Sequence, residues 1–173
     1  MDVLWAPWRL AYIKRAGLKE DACIFCLPPD HRGPDKDRLV LYSDETAMVM
    51  MNLYPYNNGH LLVAPRRHVP SLSAANQTER LALVNLAARA SDILTVVMNA
   101  RGFNMGINQG KVAGGSVEAH LHFHITPRYL GDSNYMTVFG QTRVISEHIL
   151  DSYDQLVVQF NDPQKMDFSK LQQ

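Results

Sequence analysis

The sequence predicts an α+β domain: a mostly antiparallel five-stranded sheet, one long helix and a second, C-terminal helix. Three observations carry this. Short β-type runs separated by hairpin-length turns occupy residues 39–65, a helical periodicity follows over 76–99, and two further β-type segments come after that helix. Strands on both sides of one helix, joined by turns too short for parallel crossovers, make an antiparallel sheet.

The elements follow in chain order. The stretch PPDHRGPDKDR (28–38), with three prolines, a glycine and mixed charges, reads as a surface loop. LVLY (39–42), a Ser43-Asp44-Glu45 turn and TAMVMMN (46–52) read as a hairpin, and Asn57-Asn58-Gly59 marks a second turn before HLLVAP (60–65). From Asn76 to Asn99, Leu81, Val84, Leu86, Ala88, Ile93, Val96 and Val97 recur near helical spacing. Ser73 or Asn76 supplies the N-cap, and Gly102 follows the end. FNMGINQ (103–109) and AHLHFHITP (119–127) are the last two strands, separated by the glycine-rich GKVAGGS (110–116). Residues 146–160 form a weaker amphipathic helix, and the polar last dozen residues are expected to fray or to dock on a partner.

At 173 residues with 46% hydrophobic and 20% charged side chains, the chain is sized for one domain spanning 1–173. Lys plus Arg number 17 and Asp plus Glu 17, so the net charge is zero and no basic field exists to hold nucleic acid non-specifically. Continuous apolar runs such as 93–98 fall far short of the roughly 20 residues of a membrane span, and no secretory signal segment opens the chain. The expectation is a cytoplasmic protein with neither a nucleic-acid nor a membrane partner. Its two cysteines share one C-x-x-C, which leaves metal binding, redox chemistry or two buried thiols open.

His120, His122 and His124 alternate with Leu121, Phe123 and Ile125. Strand side chains change face at every residue, so all three imidazoles share one face and the apolar residues face the core. Packing is better served by apolar groups, so three alternating histidines point to chemistry: a metal site, or a nucleophile tuned by its neighbours. Gly114-Gly115-Ser116, just upstream, offers backbone N–H groups and a hydroxyl to an anion, as phosphoryl or nucleotidyl transfer requires.

The string HLHFHIT resembles the H-x-H-x-H motif of the histidine triad superfamily of nucleotide hydrolases and transferases. NGHLLVAPRRH (58–68) is similar to the superfamily's G-H-x-L-V-x-P segment, and Cys23-Ile24-Phe25-Cys26 to the zinc half-site of many members. WAPWR (5–9), LYPYNNGH (53–60), GFNMGINQGKVAGGS (102–116) and GDSN (131–134) look more like the bacterial diadenosine tetraphosphate phosphorylase branch.

The resemblance implies roles residue by residue. His122 is the nucleophile that attacks the α-phosphorus of a nucleotide, with a backbone carbonyl, that of His120, holding its other ring N–H. His124 contacts the phosphates or assists the leaving group, His60 completes the set of four, and Gln109 steers the leaving or bridging oxygen. Asn52 meets the ribose hydroxyls, while Asn108, Gly114, Gly115 and Ser116 contact phosphate. Many superfamily members have Gln where this chain has Ser116, and the branch tends to have Trp where this chain has Tyr129, a further nucleotide-site position. Cys23, Cys26, His68 and His120 form a closed Cys₂His₂ zinc site of structural role. The resemblance also implies a zinc-binding N-terminal segment of about 1–38, a C-terminal extension of about 145–173, and a homodimer with the sheet continuous across it.

The leading expectation is a nucleotidyl transferase that cleaves diadenosine polyphosphates such as diadenosine tetraphosphate, with inorganic phosphate resolving the nucleotidyl-His122 intermediate. Water in place of phosphate gives a hydrolase of dinucleoside polyphosphates or nucleoside phosphoramidates. A purine-nucleotide binding module without catalysis is a third reading, and a catalytic metal centre on H-x-H-x-H a fourth. Glu118 is the nearest acid to the motif, and a catalytic metal normally needs further ligands, which tells against the last.

Overall fold

The computed structural model describes residues 23–110, 113, 120–132 and 145–162. The expectations for WAPWR, Gly114, Gly115, Ser116, Glu118, the second half of GDSN and the polar tail lie outside the described residues.

Five strands and two helices make up the described part: β1 Val40–Ser43, β2 Ala47–Met51, β3 Leu61–Pro65, α1 Gln77–Met98, β4 Gly102–Gly106, β5 Phe123–Arg128 and α2 Ile149–Phe160. The sheet order is β1-β2-β3-β5-β4, with every neighbouring pair antiparallel. The meander is therefore as expected, and β5 inserts between β3 and β4. Asp44 makes the first turn by accepting from the backbone N–H groups of Thr46 and Ala47 at 2.7 and 2.9 Å.

Side-chain alternation sorts the strands onto two faces, each with its own core. Leu41, Ala47, Val49, Met51, Leu61, Val63, Leu121 and Ile125 pack with Leu83, Leu86, Ala90 and Leu94 of α1 and with Tyr153, Leu156 and Phe160 of α2. Val40, Met48, Met50, Leu62 and Ala64 face the other way, beneath Phe25 and Leu27. Strands β2 and β3 are buried on both faces, which is why they read as continuous apolar runs and not as alternation.

Several boundaries differ from expectation. Asn76, not Ser73, caps α1, in a reciprocal capping box with Glu79. Asn99, in the left-handed conformation at φ 55°, ends that helix, and Gly102 opens β4 instead. By length and composition α1 could span a membrane, but its buried stripe is the cover of the sheet. β4 ends at Gly106, so Asn108 and Gln109 are not strand residues. β5 begins only at Phe123, so His120 and His122 precede the ladder. His148 caps α2, which starts at Ile149 and not at Ser146.

Candidate functional site

The segment bearing the histidines stays in step with the sheet although its first half lies outside the ladder. The backbone N–H of Leu121 donates to the Val69 carbonyl at 2.7 Å, and Leu121 enters the α1-side core with Ile125. His120, His122 and His124 consequently share the opposite face, where the ring centroids of His122 and His124 stand 4.9 Å apart. Phe25, fully buried, packs 5.1 Å from His120 and 4.8 Å from His122. His60, just before β3, joins them 5.2 Å from His124.

Backbone groups of fixed polarity decide where each imidazole carries its proton. The Nδ1–H of His122 donates to its own neighbour's carbonyl, His120 O, at 2.8 Å. That leaves Nε2 of His122 as a bare lone pair in the neutral ring. The Tyr56 backbone N–H donates to Nδ1 of His60 at 3.0 Å, so neutral His60 is protonated on Nε2. This Nε2–H donates to Nδ1 of His124 at 3.1 Å, which places the His124 proton on its outer Nε2. The site thus presents a lone pair on His122 beside an N–H on His124.

Burial keeps these rings neutral. Desolvation, with His124 and His122 adding repulsion, pushes His60 down to about 3. Desolvation and then His122 push His124 down to about 4, and burial lowers His122 against the opposing hydrogen bond that it donates to the His120 carbonyl.

The other sequence-derived residues fall at different distances from this row. Asn52, at the end of β2, places its Nδ2 3.3 Å from Nδ1 of His60 and accepts from the Tyr54 backbone N–H. A cavity of about 210 Å³ adjoins Asn52 and His60, walled by Met51, Leu53, Pro55 and Ile149 among others. Asn108 is half-buried, and exposed Gln109 accepts weakly from the Leu72 backbone N–H at 3.4 Å. Tyr129 lies on the opposite side of the sheet from the imidazoles, its hydroxyl donating to the Asn58 carbonyl at 2.9 Å. Its contact is with the turn before His60. Arg128 donates to both oxygens of Asp132, at 2.7 and 3.0 Å, so the guanidinium is engaged within the fold.

Cys23, Cys26, His68 and His120 converge behind the triad, with one ligand atom from each lying within 4.8 Å of the others. Cys23 Sγ is 3.3 Å from His120 Nδ1 and Cys26 Sγ is 3.2 Å from His68 Nδ1. A tetrahedral zinc ion sets its sulfur and nitrogen ligands about 3.5 Å apart, so this donor set fits one. The His120 Nε2–H donates to the Pro65 carbonyl at 2.9 Å, which turns its Nδ1 lone pair toward the thiols. Burial, and then Cys23, raise the Cys26 thiol above its ordinary value, a penalty that a divalent cation removes. Arg67, the residue before His68, pairs its guanidinium with Glu79 through two contacts of 2.8 Å. Sequence reasoning missed Phe25 as the packing partner of the imidazoles; its place between two cysteines was the available signal.

Comparison with known proteins places these features in context. The profile of the HIT domain family matches residues 34–131. The AP-4-A phosphorylase of Mycobacterium tuberculosis is 36% identical over 154 residues, covering 86% of this chain and 79% of its own. The bis(5'-adenosyl)-triphosphatase of Dictyostelium discoideum is 36% identical over 51% of this chain and 59% of its own. Among solved structures, a zinc-bound histidine triad family protein from Mycobacterium smegmatis superposes with a TM-score of 0.58 at 25% identity, covering 69% of this chain and 81% of its own.

Proposed function

The chain belongs to the HIT domain family, and from that membership we propose that it is a nucleotidyl transferase that cleaves diadenosine tetraphosphate by phosphorolysis through a nucleotidyl-His122 intermediate. The observation that carries the reading is the bare Nε2 of His122, left so because its Nδ1–H is committed to the His120 carbonyl. That nitrogen attacks the α-phosphorus, an N–P bond forms, and the bond to the bridging oxygen breaks. The ring becomes cationic on bonding, and the His120 carbonyl stabilises the charge through the Nδ1–H. The leaving nucleoside triphosphate departs as an anion, so it needs a hydrogen bond and not a full proton, and the Nε2–H of His124 supplies that bond. An oxygen of inorganic phosphate then attacks the same phosphorus, the N–P bond breaks toward nitrogen, and a nucleoside diphosphate leaves with His122 restored.

Asn52 receives the ribose hydroxyls of the transferred nucleotide, and the adjoining apolar cavity supports a base lying there. Gln109 and Asn108 are assigned to the phosphates, and the resemblance assigns Gly114, Gly115 and Ser116 to them as well. Cys23, Cys26, His68 and His120 would hold a structural zinc ion, which would cross-link these segments and fix His120, the residue whose carbonyl holds His122. The outer edge of β4, which pairs with no strand among the described residues, and the exposed Leu81, Val84 and Val96 on α1 support a two-fold dimer with a continuous sheet.

The M. tuberculosis relative supports phosphate as the resolving nucleophile, and the D. discoideum relative supports water. Products of diadenosine tetraphosphate with and without inorganic phosphate separate the two. Phosphorolysis gives a nucleoside diphosphate plus triphosphate only when phosphate is present. Monophosphate release that is indifferent to phosphate assigns the chain to the hydrolases.

A further inference from the structure

We propose that Asn57 is a positioning residue for catalysis: clamped by Asp132 and Arg128, it fixes the direction of the hydrogen bond from His60 to His124. The inference rests on the reading of His124 as the donor to the leaving group.

The polarity of the His60–His124 pair comes from the donors on Nδ1 of His60, of which the Tyr56 backbone N–H at 3.0 Å is the shorter and Asn52 Nδ2 at 3.3 Å the longer. Tyr56 sits in a loop without regular structure between β2 and β3, and such a loop holds a backbone amide in place only if something outside it does the holding. Asn57, the next residue, is 7% exposed and makes that tie. Its Nδ2 donates to the Pro127 carbonyl and to Asp132 Oδ2, both at 3.1 Å, and its Oδ1 accepts from the Asn58 backbone N–H. Its own carbonyl accepts from the His60 backbone N–H at 3.1 Å. One side chain therefore joins the loop to the far end of β5, the strand that carries His124.

Asp132 serves Asn57 because it is itself held. Arg128 grips both of its oxygens and also donates to Asn104 Oδ1 on β4 at 3.1 Å, and the Tyr129 backbone N–H adds a further donor at 3.2 Å. Arg128 and His124 lie on the same strand and the same sheet face, four residues apart. A shift of Arg128 thus transmits to Asp132, Asn57 and Tyr56, and finally to the proton on His60. Asp132 of the GDSN string thereby has a physical task.

The test is the tautomeric state of His60 and His124, read from ring nitrogen-15 shifts, together with steady-state kinetics on diadenosine tetraphosphate. In Asn57→Ala, the Nε2–H form of both rings should cease to dominate, kcat should fall about 10- to 100-fold, and KM should stay within about 2-fold. Asp132→Asn keeps the shape and one acceptor, so it should show the same change in smaller measure if Asn57→Ala folds poorly. The exchange variant Asn57→Asp with Asp132→Asn restores a donor–acceptor pair and should recover part of both readouts. Unchanged tautomers alongside a lowered kcat in the single variants would overturn the proposal while leaving the His122 chemistry standing. Loss of adenylyl transfer in the parent protein would instead strike the reading beneath it.

Discussion

Nε2 of His60 lies 3.1 Å from Nδ1 of His124, and the Tyr56 backbone N–H on the far side of His60 permits only one direction for that hydrogen bond. Its consequence is a His124 whose proton sits on Nε2, the nitrogen proposed to donate to the bridging oxygen of a nucleotide on His122. Replacing His60 by alanine should therefore lower kcat by about 100-fold, with the loss larger for substrates with more basic leaving groups. A series of adenylyl esters with graded leaving groups measures this; an equal loss across the series would mean that His60 does not act through the leaving oxygen.

The buried neutral imidazoles also set a pH dependence of stability. His60 and His124 titrate near 3 and 4 in the fold against an ordinary 6.5, so the unfolded chain takes up their protons first as the pH falls. Stability is fully present above about 6.5 and is lost as the pH drops from there toward 4. Urea midpoints across this range should fall with acid, and the fall should shrink in His60→Asn. A flat profile would contradict the burial of these rings.

Cys23→Ser should abolish stoichiometric zinc, lower the thermal midpoint and reduce kcat about 10- to 100-fold, because His120 links the metal to the nucleophile through its own carbonyl. Metal analysis of the purified variant checks the ligand set, and retention of one zinc per chain would refute it.

Gly59 has φ +73°, and a Cβ there would meet Met98 Sδ at 2.6 Å and Leu94 Cδ2 at 2.9 Å. Gly59→Ala should cost about 2–4 kcal/mol from the left-handed backbone and the overpacking together. Denaturant unfolding gives the value, and a cost below 1 kcal/mol would mean that α1 yields to the turn.

Val84, 57% exposed on the outward side of α1, should tolerate arginine in a monomer and disrupt a dimer built on that face. Sedimentation of Val84→Arg should show a halved mass against a dimeric parent. A monomeric parent would remove the dimer.

The legible part of this molecule follows from period and chemistry. The alternation of His120, His122 and His124 with Leu121, Phe123 and Ile125 foretold both faces of the site, because a strand-like backbone keeps its parity even where the ladder has not begun. The Asp44 turn and the long helix were equally plain. Asn76 won the cap over Ser73 through the reciprocal bond with Glu79, a choice that the same glutamate's pairing with Arg67 reinforces. What stayed hidden depends on tertiary contacts. Nothing in the local sequence announces that Tyr56 lends its amide to His60, that Phe25 lies against two imidazoles, or that Asp132 grips Asn57 from 75 residues away. Tyr129 likewise follows strand parity onto the face away from the imidazoles, which motif position alone did not convey.

The proposed function requires His122 to carry the nucleotide between its two partners. Mixing the enzyme with diadenosine tetraphosphate in phosphate-free buffer, quenching, and weighing the peptide that contains residues 120–124 tests it most directly. One added adenylyl group on His122 is expected, discharged as adenosine diphosphate when phosphate is supplied and absent in His122→Ala. Turnover with no adduct at any quench time, or undiminished activity in His122→Ala, would contradict it.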